Sequence, residues 1–481
     1  MDSYQTGRIV KPPLRQWKDA QYLDWKDIQE QYKTHVNSGF FRILKRLGYD
    51  SVRISSAEDM YYVDASGRKI MDCWGGFGAL NLGHNHPRLA EVRRRFDEEK
   101  HVEICHAFLP SHATILAENV AAVMPEGLDV CYFCCTGSEA VESALKLAEK
   151  YKRRSRGTIV YTDNAMHGKT HGALSVTGNE GVRDSFKLLS DCRSIPYGDA
   201  SALRAAFESQ KNLDTDREII AVILEPIQSG GGVVVPPDGY LGDVRQICDE
   251  FGAVLIFDEV QTGMGRTGTM FAFEYEGIVP DIVVLSKSLG GGKAPIAACV
   301  ANREIFKQAY GNTRDCVLHN STFSGMGCCA ALATETMHVL YDENLIENAA
   351  KQGTYFLSRL KEIHYKYSDI IADVRGRGLL IGVEFKNITE LLPGVVKSYM
   401  PQLNKLGQGA LVALVAGALL YKYDILAAFT DFNRNVMRFE PPLTMKKHHV
   451  DEVVEALDEI LSKGIVRLVT DTMKTRLLDA I

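Results

Sequence analysis

Residues 281–292 read DIVVLSKSLGGG: four apolar residues, then a serine, Lys287 and a glycine triplet. Ile282, Val283, Val284 and Leu285 form the unbroken aliphatic run expected of a strand buried on both faces. Such a strand delivers the residues after it into the crevice at the carboxyl edge of its sheet. Lys287 is therefore expected to point into a cleft. A lysine there loses part of its hydration and is easier to deprotonate, and the neutral amine can form a Schiff base with an aldehyde. The competing reading is a solvated lysine whose stem lies over apolar neighbours.

Working outward, strand-like runs alternate with helical patterns: DVCYFCC, SEAVESALKLAEKYKRR, GTIVYTD, EIIAVILEPI, DGYLGDVRQICDEFG, AVLIFDEV and DIVVLS. The alternation predicts a mainly parallel sheet covered by helices. In AVLIFDEVQTGMGRTG (residues 253–268) a strand runs straight into Asp258, and Lys287 comes 29 residues later. That spacing fits adjacent strands joined by one crossover, with both side chains facing one crevice. A carboxylate at a buried strand end needs a partner: the protonated nitrogen of a ring cofactor, a helix cap, or Arg266. Gln261, three residues on, reaches toward a ring hydroxyl oxygen. In CCTGSEAVESALKLA (134–148), Thr136, Gly137 and Ser138 sit at a strand-to-helix junction, where free N–H groups and the positive helix end suit a phosphate. The plainer alternative is a Ser138 N-cap with Glu139 and Glu142 in the first turn. HNSTFSGMG (319–327) offers hydroxyls and glycines as another phosphate contact or as a solvated turn.

The 481 residues accommodate two domains or more, or one large α/β domain with a smaller partner. Fifty-five basic and 61 acidic residues give a formal charge of -6, and no basic tract invites nucleic acid. Eleven irregularly spaced cysteines point to a reducing, cytoplasmic setting rather than a disulfide framework. Cys131, Cys134 and Cys135 flank Tyr132 and Phe133 and read as a buried strand before they read as a metal site. The opening is polar and proline-interrupted, unlike a secretory signal. The longest apolar run, GALVALVAGALL (409–420), is 12 residues, short of the roughly 20 that span a bilayer, and is expected to be a buried helix or strand pair rather than a membrane segment. YYVDASGRKIMD (61–72) predicts a hairpin. The expected partition is an N-terminal arm with part of a small domain over 1–70, a large domain over 71–340, and a C-terminal small domain over 341–481.

Taken with DCWGGFGALNLGHNHP, ILEPIQSGGGVVVPPDGYL and MRFEPPLT, these motifs resemble the class III, fold-type I aminotransferases that use pyridoxal 5′-phosphate, most of all the putrescine and other ω-amino aminotransferases. The resemblance covers most of the chain and implies an α/β fold with a large mainly parallel sheet and a smaller α+β domain. It implies that Lys287 holds the cofactor as a Schiff base and moves protons. Asp258 would pair with the pyridine nitrogen and Gln261 with the ring oxygen. Thr136, Gly137 and Ser138 would cup the phosphate, with Met166 and His167 against the ring. Thr322 would reach the phosphate of a neighbouring subunit, which implies a homodimer with shared sites. Arg438 would grip a substrate carboxylate, and Glu225 would shield it when the substrate has none.

Three positions depart from the family pattern. Met166 stands where an aromatic residue commonly precedes His-Gly, FSGMGCC replaces the usual Gly-Gly-Asn-Pro after Thr322, and YKYDILAAFTDFNRNV (421–436) is longer than in putrescine-type enzymes. The expected reaction moves an amino group between a terminal amine or aldehyde and a keto acid or amino acid. The alternatives are an aminomutase, racemase or decarboxylase on the same fold, or a non-catalytic binding protein. Trp74 and Phe77, with the apolar run at 409–420, either line a channel for hydrophobic substrates or pack the small domain.

Overall fold

The computed structural model describes residues 14–153, 157–210, 218–391, 409–464 and 467–468. Three sheets organise them. β1 (Ile54–Glu58), β2 (Tyr61–Asp64) and β3 (Lys69–Asp72) form an antiparallel meander. The expected hairpin is its second turn, with Tyr61 opposite Met71 and Val63 opposite Lys69.

The large sheet is built from β4 (Leu128–Cys134), β5 (Thr158–Thr162), β6 (Cys192–Ile195), β7 (Ile219–Leu224), β8 (Val254–Asp258), β9 (Ile282–Leu285) and β10 (Ala297–Asn302). Its order is β4-β10-β9-β8-β7-β5-β6. Only β10 runs against its neighbours; the other pairs are parallel. Every residue of β7, β8 and β9 is buried, as unbroken aliphatic strands covered on both faces should be. β8 and β9 are neighbours with Asp258 opposite Val284, so Asp258 and Lys287 emerge at the same sheet edge.

Past β9 the chain turns sharply. Lys287 has φ +45° and opens the short 3-10 helix Lys287–Gly290. Gly291 comes next at φ +56°, where a Cβ would lie 2.4 Å from Leu89 and 2.5 Å from the Thr336 hydroxyl. The glycine triplet thus lets the lysine turn press against the helices Pro87–Glu98 and Gly327–Asp342. The helix Gly137–Lys152 is capped by Thr136 rather than by Ser138: the Thr136 hydroxyl accepts from Glu139 N at 3.3 Å, and the Glu139 carboxylate accepts from Thr136 N at 2.8 Å. This reciprocal box needs an acid three residues after the cap, and only Thr136 has one.

The C-terminal part supplies β11 (Ile371–Arg377), β12 (Leu380–Phe385), β13 (Ile425–Leu426), β14 (Ala428–Phe429) and β15 (Val436–Phe439). One four-stranded sheet runs β11-β12-β15-β14, while β13 adds in parallel to β3 and ties the C-terminal part to the first meander. The apolar run forms the helix Ala410–Tyr423, and ten of its residues are buried against β13 and the helix Lys447–Ser462. It is a core helix, not a channel wall. Among the described residues no helix is long and apolar enough to cross a membrane.

Arg266 fastens these parts together. Fully buried, it donates to Asn81 Oδ1 at 2.6 Å, to Leu379 O at 3.0 Å and to Pro441 O. It does not partner Asp258. Burial pulls its guanidinium down to about 10, still protonated at neutral pH. Arg266→Met removes the donor from three buried acceptors, each worth about 1–3 kcal/mol when left unpaired. Scanning calorimetry at fixed protein concentration should show a large fall in thermal midpoint; a shift within the error of the measurement would mean that Arg266 does not fasten the fold.

Candidate active site

Lys287 Nζ meets the Oε1 oxygen of Gln261. The amide nitrogen of Gln261 faces away, donating to Glu440 Oε2 at 2.6 Å and to Phe77 O at 3.2 Å. The other Glu440 oxygen is ion-paired with Arg438 Nε, although that N–H lacks the alignment of a hydrogen bond. Arg438 Nη1 donates to Ser229 Oγ at 2.9 Å. Arg438 and Glu440 are 2% and 0% exposed, so neither charge has water to fall back on. Burial lowers the proton affinity of the Lys287 amine below the ordinary lysine value, and Glu440 is the largest influence opposing it. This is the shift the sequence led us to expect: a lysine that releases its proton more readily than one in water.

Beside Lys287, Asp258 is held at both oxygens. Oδ2 lies 2.7 Å from His167 Nδ1, and Oδ1 accepts from Val260 N at 3.0 Å. His167 Nε2 is buried with no partner among the described residues. Glu225 accepts from Met166 N at 2.9 Å and from Ser229 N at 3.3 Å. Burial pushes its carboxyl up from 4.5 to about 7, with His167 opposing and Asp258 reinforcing. Glu225 is therefore committed to backbone amides, and the acid beside Arg438 is Glu440.

Lys287, Gln261, Asp258, Glu225, Ser229 and Arg438 line a small cleft with Phe77, Met166 and Asp431 at its walls. A wider groove of about 720 Å³ near His84 and Glu343 lies elsewhere, but the amine and acid chemistry sits in the smaller cleft. Gly137 adjoins it, since a Cβ there would lie 3.3 Å from Val260 and 3.5 Å from Ser286 Cβ. As the first two residues of their helix, Gly137 and Ser138 have amides with no intrahelical acceptor. Phe77, at φ +60°, is half exposed, its ring 4.4 Å from that of Trp74. Thr322 is exposed and outside this cleft; its carbonyl accepts from His106 Nε2 at 2.5 Å.

The class III aminotransferase family matches residues 46–461. The chain belongs to it. Similar solved structures include the ornithine aminotransferase of Toxoplasma gondii, with 27% identity and TM-score 0.78, covering 94% of this chain and 98% of that one. A transaminase from the marine bacterium Virgibacillus shows 26% identity and TM-score 0.78, over 90% of this chain and 98% of its own. An (S)-enantioselective ω-transaminase from Thermomicrobium roseum shows 28% identity and TM-score 0.78, again over 90% and 98%. The fold is that of the fold-type I enzymes, and the chain is a pyridoxal-phosphate-dependent transaminase.

The residues present fit that cofactor. A class III aminotransferase needs an amine to bind an aldehyde, an acid to keep a ring nitrogen protonated, and donors for a phosphate. Lys287, the His167-buttressed Asp258 and the helix-end amides of Gly137 and Ser138 would supply that set, gathered at one edge. Sequence reasoning missed Glu440, Ser229 and Asp431. The one signal in the sequence was the spacing of Arg438 and Glu440, two apart and so on the same face of a strand.

Glu225 carries a pH signature. Its raised value means that the folded chain binds more protons than the unfolded one between 4.5 and about 7, so its contribution to stability is lost as pH rises through about 7. Glu225→Gln removes the charge. Its free energy of unfolding relative to the native chain, from denaturant titration, should therefore improve from pH 5 to pH 8, by no more than about 3 kcal/mol. A pH-independent difference would mean that the carboxyl titrates normally.

Proposed function

We propose that this transaminase takes the amino group of a terminal amine, an ω-amino compound or a diamine, and passes it to a keto acid or aldehyde. The observation that supports this reading is the state of Arg438. Its charge is already matched by Glu440, so a donor without a carboxylate leaves no buried cation unpaired.

In this reading Lys287 is the covalent anchor and the proton carrier. Its lowered proton affinity favours the neutral amine that would condense with the cofactor aldehyde, releasing water; once a substrate amine displaced it, the freed Lys287 amine could take a proton from the substrate carbon and return it. Bound pyridoxal phosphate supplies an electron-withdrawing ring that accepts the electron pair freed when that carbon–hydrogen bond ionises. Asp258 holds the proton on the ring nitrogen, and His167 fixes the angle of the Asp258 carboxylate. Gly137 and Ser138 present amides to the phosphate, and Thr136 holds their helix end in place. Met166 and Phe77 wall the cleft and limit water.

A homodimer with shared sites accompanies this reading. Thr322 lies outside its own cleft in a stretch that exposes Val317, Leu318 and Phe323. His106, which touches Thr322, sits in a segment exposing Val102, Phe108 and Leu109. A second copy is the natural cover for such a face. Light scattering at micromolar concentration should give a dimer, and Thr322→Ala should weaken retention of the cofactor; an active monomer would rule out the shared site.

A screen of amines against pyruvate and 2-oxoglutarate tests the reaction itself. Each amine consumed should yield one amino acid. Product formed without acceptor would favour the aminomutase, racemase or decarboxylase alternatives. Asp258→Asn should cut kcat by roughly a thousandfold, about 4 kcal/mol, in a folded protein, while unchanged turnover would make Asp258 purely structural.

A further inference from the structure

His319 lies three residues before Thr322, and its ring is laid onto the helix Gly137–Lys152. Nε2 is 2.6 Å from Ser143 Oγ, and Nδ1 is 3.0 Å from Lys146 Nζ. Lys146 also donates to Leu318 O at 3.4 Å, and the Tyr132 ring lies 4.8 Å from the imidazole. These partners admit one protonation state. An ammonium can only donate, so Nδ1 carries the lone pair and the neutral ring has its proton on Nε2. Ser143 accepts from Nε2 and donates its own hydrogen to Glu139 O at 2.9 Å. A second proton on the ring would set an N–H against the Lys146 ammonium and break that contact.

The loop is fastened on both sides of Thr322. Upstream, Asp315 pairs with Lys150 of the same helix at 3.1 Å; downstream, Ser324 Oγ donates to Phe133 O at 2.5 Å. Ser324 belongs to FSGMGCC, the stretch that departs from the family pattern. Of Thr322 itself only the carbonyl is bonded among the described residues, to His106, which leaves its hydroxyl to reach elsewhere.

Building on the shared-site reading, we propose that His319 is the positioning residue for Thr322: it pins the loop to the helix Gly137–Lys152. One helix then faces its own subunit's phosphate with its first turn and steadies the hydroxyl offered to the neighbouring subunit's phosphate. The pin holds while the ring is neutral and lets go when it gains a proton. Burial and Lys146 both lower the proton affinity of the ring, against Glu142 and Glu139 of the same helix. Those carboxylates are committed elsewhere, Glu142 to Thr170 Oγ1 and the amides of Gly172 and Ala173, Glu139 to the amides of Cys135 and Thr136. Tyr132 of β4, Cys299 of β10 and Tyr310 of the helix Arg303–Tyr310 are pushed upward by burial and bring no charge, and Cys316 faces the ring from the loop itself.

In the protein reconstituted with pyridoxal phosphate, the rate of cofactor loss on dialysis should rise about tenfold as pH falls from about 8 to about 5, through a midpoint below 6.5, the ordinary histidine value. His319→Gln keeps an N–H for Ser143 and an oxygen for Lys146 but cannot gain a proton, so it should match the native rate at neutral pH and show no such step. Lys146→Met removes the opposing charge and should move the midpoint upward. A step that persists in His319→Gln, or a midpoint that Lys146→Met leaves in place, would overturn the proposal. Hydrogen exchange of the peptide 311–326 in the cofactor-free protein reads the pin apart from the cofactor. There His319→Leu should speed exchange about tenfold, and exchange at the native rate would overturn the pin. If Thr322→Ala loses cofactor at the native rate, the shared-site reading fails instead, and the exchange measurement still decides whether His319 holds the loop.

Discussion

The site depends on the cost of burying charge. Asp258 and Lys287 emerge at one edge of the large sheet and meet Arg438 and Glu440, brought by the C-terminal sheet, in a largely buried cleft where a lone ion would cost several kcal/mol. Each therefore has a partner: Asp258 with His167 and a backbone amide, Lys287 with Gln261, Arg438 with Glu440 and Ser229. Glu225, whose partners are neutral amides, shows the alternative outcome, a carboxyl that keeps its proton to about pH 7. Pairing fixes geometry as well as charge, because each bond removes a degree of freedom from a side chain that must meet a planar ring.

Much of the fold could be read from local pattern. The aliphatic runs of β7, β8 and β9 are strands buried on both faces, and their spacing placed Asp258 and Lys287 on neighbouring strand ends. Asp258 is the last residue of its strand, and only Ser286 separates Lys287 from its own, so the strands determine the sheet edge at which both emerge, while the left-handed turn at Lys287 aims its side chain. β10, with its small residues AACVAN, has no comparable signature, and nothing local marks it as the one reversed strand. The cap falls on Thr136 rather than on the alternative, Ser138, because Ser138 is already inside the helix and the choice depends on where Glu139 folds back. The apolar run at 409–420 had no amphipathic stripe to give its orientation, since it is enclosed on all sides.

The partner of Arg438 was hidden for a different reason. The resemblance pointed to Glu225, yet that carboxylate is taken by the amides of Met166 and Ser229, while Glu440 arrives on the same strand end as the arginine. Which acid wins is settled by the approach of β15 to the loop after β7, a long-range contact that no window of sequence contains. Arg266 belongs to the same class: it bonds a side chain and two carbonyls contributed by three distant segments. The cleft is thus finished by C-terminal residues laid over a scaffold that the central strands define.

The central claim is that Lys287 is the amine that carries the cofactor. Borohydride reduction of the protein reconstituted with pyridoxal phosphate, then proteolysis and mass mapping, tests it most directly. One pyridoxyl group per chain on the peptide containing Lys287 is the predicted result, and a label on any other lysine would contradict it.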